Sequence, residues 1–156
     1  MSGTRQAWLC GLLALAAIVA GCGGSGYTKS DFVARADGIC TNTLRQTRTL
    51  APPVSASGAA LSAYLGKLVP LVESEANQLR ALMRPADSAS DRDTLTAYFA
   101  ALGQVVGAYR RLEAAAARGD DQTMTDVEAT LNANPVASLA ARYGLKTCGT
   151  PGSTSV

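Results

Sequence analysis

Leu95, Tyr98, Leu102, Val105, Tyr109, Leu112 and Ala116 follow one another at alternating spacings of three and four residues, without a slip. That rhythm puts seven apolar side chains on one face of an α-helix and on no face of a strand. A helix carrying such a seam is stable in water only when other helices cover it, at the shallow crossing angles of about 20° typical of bundles. The rest of the chain must therefore supply helical partners. No strand-like alternation and no Asn-Gly hairpin occurs anywhere.

The partners can be read off in order. A first helix is predicted from Ser30 to about Leu50, with Ser30 as N-cap and Asp31 in the first turn, where a carboxylate suits the helix dipole. Phe32, Ala36, Ile39 and Thr43 share its inner side, flanked by Val33, Cys40 and Leu44. Gly38 weakens it by about 1 kcal/mol relative to Ala, and Ala51-Pro52-Pro53 ends it. A second helix is predicted from Gly58 to Arg84 behind a Ser57 cap, with Leu61, Leu65, Leu68, Val72, Ala76, Leu79 and Met83 inward. Pro70 lacks the N–H that the Gly66 carbonyl needs, which predicts a kink or a short break. The seam helix starts at Ser90, whose spacing to Asp93 resembles a capping box, and stops at Gly119. Gly103 and Gly107, one turn apart, suit a close helix approach or are simply tolerated. Asp120 and Asp121 open a fourth helix with Met124, Val127 and Leu131 inward. Asn134-Pro135 breaks it before a last piece carrying Val136, Leu139, Tyr143 and a terminal Gly144. The predicted fold is all-α: an up-down helical bundle of about four helices, kinked at Pro70 and Pro135.

The first twenty-two residues have a different character. One Arg (Arg5) precedes an apolar stretch from Trp8 to Ala20, too short for the roughly 20 residues that span a bilayer. Val19-Ala20-Gly21-Cys22 closes it and resembles the lipobox of bacterial lipoproteins. The resemblance implies cleavage after Gly21 and a diacylglycerol on the Cys22 sulfur. Two acyl chains hold a protein to a membrane where one does so only marginally. Gly23-Gly24-Ser25-Gly26 then reads as a flexible leash. Cys10 is lost with the signal. The expected layout is a signal peptide at 1–21, a lipidated tether at 22–29, a helical domain at 30–149 and a disordered tail at 150–156.

With Cys22 acylated, only Cys40 and Cys148 remain. Thiols outside the cytoplasm are readily oxidised, and two cysteines allow one pairing. The alternatives are two separately buried thiols or a redox pair, although the close Cys-x-x-Cys spacing of redox pairs is absent. A Cys40–Cys148 disulfide would hold the segment Leu145 to Gly149 against the first helix.

Chemistry is scarce in what is left. The chain has no His, which removes the usual general base, most zinc and haem sites, and the Glu-x-x-His motif of di-iron bundles. No nucleophile elbow, phosphate loop or haem-attachment motif is present, so neither a catalytic residue nor a metal or cofactor site is predicted. Glu73 and Glu75 are two apart and point to different helix faces. Asp91 with Asp93, and Asp120 with Asp121, fall at helix starts, where capping accounts for them, and nothing has EF-hand spacing. Arg110, Arg111 and Arg118 make the end of the seam helix basic, as its dipole favours. Tyr98 and Tyr109 read as core, and the sharper alternative is a ligand pocket lined by Tyr64, Tyr98 and Tyr109. Removing the signal takes away only Arg5 among the charges, leaving a nearly neutral chain and arguing against nucleic acid as a partner. Arg far outnumbers Lys and Ala is abundant, as in GC-rich genomes.

Several stretches together look like those of small, mostly uncharacterised lipoproteins of actinobacteria. They are Val19-Ala20-Gly21-Cys22, Phe32-Val33-Ala34-Arg35-Ala36-Asp37-Gly38-Ile39-Cys40, Gly119-Asp120, and Ala140-Ala141-Arg142-Tyr143-Gly144-Leu145-Lys146-Thr147-Cys148-Gly149. The resemblance covers both ends of the mature chain and implies location, disulfide and helical fold, with no activity to transfer. The function expected is that of a non-catalytic module, lipid-anchored on the extracytoplasmic face of the cell membrane and contacting an envelope protein. The alternative is a carrier or sensor of a small apolar ligand held between the helices near Pro70.

Overall fold

The computed structural model describes residues 26–53 and 58–148. The signal segment, Cys22, Ser57 and the tail from 149 lie outside the described residues. Within them the chain forms α1 (Lys29–Thr47), α2 (Gly58–Ala81), α3 (Ala89–Arg118), α4 (Asp121–Asn132) and α5 (Val136–Tyr143), with no strand. The α4 and α5 segments are two parts of the fourth rod, separated at Asn134 and Pro135. There the Asn134 side chain accepts from the Val136 N–H at 2.9 Å and donates to the Ala101 carbonyl of α3 at 3.3 Å.

Long-range pairs set the directions. Late α2 meets the middle of α3, with an Arg80 nitrogen 3.2 Å from where a side chain at Gly103 would begin, and mid-α2 meets later α3 through Glu73 and Arg110. The start of α1 meets the start of α3, where Lys29 and Asp91 pair at 2.6 Å. The end of α5 returns to that same end of the bundle, where Tyr143 donates to Asp87. The four rods therefore run up, down, up and down. In this arrangement α3 is central and packs against α2, α4 and α5, while α1 packs on α2.

All seven seam residues of α3 are buried. In α2, six of the seven inward positions are buried, and the seventh is corrected: Met83 is 66% exposed. The helix ends at Ala81, short of Arg84, so Met83 leaves the three-four register and Leu82 packs against the core instead. Pro70 does not break α2, which continues through it. The proline ring removes the bond to the Gly66 carbonyl, and that exposed turn of α2 tolerates the loss. Gly103 and Gly107 do not mark a close approach of helices. A side chain would meet only the flexible end of Arg80 at the first and nothing at the second. Gly119 and Gly144 end their helices in left-handed conformations, φ 66° and 103°, where glycine is least strained.

Three further boundaries differ from expectation. The N-cap of α1 is Thr28, not Ser30: the Thr28 hydroxyl accepts from the Asp31 N–H at 3.2 Å, and the Asp31 carboxylate accepts from the Thr28 N–H at 2.9 Å. This reciprocal box satisfies two donors, whereas Ser30 has no acidic partner three residues on. In consequence α1 begins one residue earlier than expected, at Lys29, and it ends at Thr47 instead of Leu50. The N-cap of α3 is Ser88, not Ser90, and Asp91 replaces Asp93 as its partner, accepting from the Ser88 hydroxyl at 3.0 Å. Thr28→Ala is expected to cost about 1 kcal/mol in urea denaturation, whereas Ser30→Ala, inside the first turn where Ala is the better helix former, should cost nothing. Equal effects would contradict the cap assignment.

Candidate functional site

Cys40 and Cys148 form a disulfide, with Cα atoms 5.3 Å apart and both residues buried. The chain reaches it by running beside α1. Tyr143 packs edge-on against Phe32, ring centroids 5.6 Å apart, and Lys29 lies 4.6 Å from the centre of the same tyrosine ring. Further along, Asp37 accepts the backbone N–H groups of Lys146 and Thr147 at 2.9 and 2.8 Å. The disulfide follows one residue later. Asp37 thus acts as a side-chain cap for a backbone segment that has no helix of its own.

Three tyrosines were the candidate pocket, and the structure does not gather them. Tyr98 and Tyr109 are buried at 1% and 2% exposure. They lie on one helix three turns apart, roughly 16 Å along its axis. Tyr64 is half-buried near the start of α2, whereas Tyr98 lies beside the end of α2. Tyr98 packs edge-on against Phe99 at 5.2 Å and serves as core.

The one buried carboxylic acid among the described residues is Glu75, 2% exposed on the inner face of α2. Its hydrogen-bond partner is the Thr43 side chain of α1, and its Oε2 has none. No ion pair found among the described residues includes it. Burial pushes its pKa up to about 7, against a smaller lowering by the Thr43 hydroxyl. On α3, burial and then the neighbouring Glu75 carboxylate hold the Tyr98 phenol well above its ordinary range.

Several other charges are committed to architecture. Asp91 is held below the usual carboxylate range first by Lys29 and then by Ser88. Glu73 is lowered by its bond from Arg110, and Asp120 by its bonds from Thr123, which it caps. Arg118 is 3.9 Å from Asp120, so the basic end of α3 is locally answered. Exposed pairs of this kind contribute little to stability. Among the described residues no group of three or more His, Cys, Asp or Glu could hold a metal ion.

Glu75 could have been found from spacing. Leu61, Leu65, Leu68, Val72, Glu75 and Leu79 step by four and three alternately, and a strict heptad puts Glu75 on the seam of α2. An acid at such a position is costly unless neutral or paired. No family model, no curated protein and no solved structure matches this chain.

Proposed function

We propose that this chain is a lipid-anchored extracytoplasmic module that mediates protein interaction in the cell envelope and carries out no catalysis. The observation that carries the reading is the Cys40–Cys148 disulfide in a chain with a lipobox at Cys22. Structural disulfides persist in oxidising compartments and are rare in the cytosol. The described helices contain none long and apolar enough to cross a membrane, so attachment would rest on the acyl groups. Lys29 opens α1 seven residues after Cys22, a reach of at most about 25 Å. That short leash faces the membrane with the end of the bundle where Lys29, Asp91, Asp87 and Tyr143 meet. A small-ligand carrier is less well supported, because its three tyrosines are dispersed along the bundle.

Fractionation tests the anchor. Wild-type protein should stay with membranes until detergent is added, and Cys22→Ala should appear in the soluble extracytoplasmic fraction. Retention of the variant on membranes would contradict the anchor. Photo-cross-linking from exposed positions in intact membranes should recover one envelope protein reproducibly. Recovery of none from any position would contradict the interaction role.

A further inference from the structure

We propose that Glu75 is a proton-binding site that clamps the last turn of α1 onto α2 when protonated and releases it when ionised. The site is independent of the membrane anchor. Its geometry begins with what holds α1. The first part of that helix is fixed by several independent contacts: the capping box at Thr28, the Lys29–Asp91 pair, the Asp37 cap on the C-terminal segment and the disulfide at Cys40. Beyond Cys40 the supports are fewer: the Thr41 hydroxyl lies 3.4 Å from Thr147, and Leu50, past the last turn, packs against the core. Thr43, 5% exposed, is the buried residue of the remaining turn, and its side chain meets Glu75.

Hydrogen counting favours the neutral acid. The Thr43 hydroxyl lies 3.4 Å from the Ile39 carbonyl and has a single proton to give. With Glu75 protonated, the acid O–H can donate to Thr43 while Thr43 donates to Ile39. The chain of donors is then complete, and Oε2 is a neutral oxygen. With Glu75 ionised, Thr43 must turn to the carboxylate and leave Ile39, while a charged oxygen without a partner remains buried. Surrounding groups leave Oε2 without a partner. Tyr98 faces the site from α3, but its phenol makes no bond to that oxygen. Asp37 of α1 has the wrong sign and is committed to Lys146 and Thr147. Arg80 of α2 is exposed and directed along Gly103 of α3.

The sign follows. The closed state holds the Glu75 proton more tightly than an open state, in which the acid is hydrated and ordinary. Closure is therefore strongest below the ordinary Glu range, near 4.5, weakens as pH rises toward about 7, and is level above that. Opening the last turn hydrates the carboxylate without disturbing the disulfide or α3.

Amide hydrogen exchange of the oxidised, folded protein tests this, corrected for intrinsic pH dependence and compared at pH 5.5 and 8. Protection at Thr43 to Thr47 should fall about 30-fold on raising the pH, while protection across the seam of α3 stays constant. In Glu75→Gln, which keeps the shape of the protonated acid, the same amides should show no pH dependence. Carboxyl carbon NMR of the wild type supplies a readout that needs no variant, with Glu75 titrating near neutrality. Titration in the ordinary carboxylate range, or equal pH profiles for wild type and Glu75→Gln, would overturn the proposal.

Discussion

Replacing Cys40 and Cys148 together by Ala is expected to lower the unfolding free energy by about 3–5 kcal/mol and Tm by on the order of 10–20 °C. The loop closed has a sequence separation of 108 residues, and long loops are those whose closure restricts the unfolded chain most. The topology adds a reason specific to this fold. The backbone of α1 runs close to that of α2 alone among the helices; α1 reaches α3 through Lys29 and Asp91 and α5 through Phe32 and Tyr143, and its other attachment is the segment ending at Cys148. Without the bond, that segment is held by Asp37, the Thr41 hydroxyl 3.4 Å from Thr147, and the packing of Tyr143. Alanine is the right replacement, since both positions are buried and a serine hydroxyl there would need a partner. Urea denaturation of oxidised wild type, reduced wild type and the double variant checks it. The last two should coincide within about 1 kcal/mol, allowing for thiol packing. A loss below about 1 kcal/mol would mean that α1 is held by its other contacts alone.

Leu102→Ala is expected to cost about 3–5 kcal/mol, the range for emptying a fully buried leucine site whose surroundings collapse only in part. Leu102 is 0% exposed near the middle of α3, the helix that packs on three others. Met83→Ala is its natural counterpart, because the same periodicity argument placed both residues on apolar seams. Met83 is exposed, so its truncation should change stability by no more than about 0.5 kcal/mol. Thermal melts followed by circular dichroism distinguish the two. Equal losses would contradict the register at the end of α2. Combining Leu102→Ala with loss of the disulfide removes about 6–10 kcal/mol, comparable with the whole stability of a typical domain, and should unfold the protein at room temperature.

Periodicity made the helices legible wherever the pattern was long. The α3 seam needed no correction, and the break at Pro135 follows from backbone chemistry that tertiary contacts cannot override, whereas α1 and α2 end several residues before the next proline. Boundaries were harder where the local sequence offered two solutions. Ser88 with Asp91 and Ser90 with Asp93 both have capping-box spacing. The first also places Asp91 against Lys29 of α1, a contact sixty-two positions away that no local rule contains. At α1, Thr28 and Asp31 were the better box on local grounds alone, since the spacing is complete there and incomplete at Ser30. The end of α2 turns on the choice of period: a looser one favours Met83 over Leu82 and passes over Glu75, which the strict heptad places on the seam. The Asp37 cap on Lys146 and Thr147 and the Tyr143–Asp87 bond join elements distant in sequence, and composition carries no trace of them.

The intact mass of the protein purified from native membranes bears most directly on the anchored-module reading. It should correspond to a chain beginning at Cys22, carrying diacylglycerol and lacking the two hydrogens removed in forming the Cys40–Cys148 bond. A chain beginning at any other residue, with no lipid mass added, would contradict it.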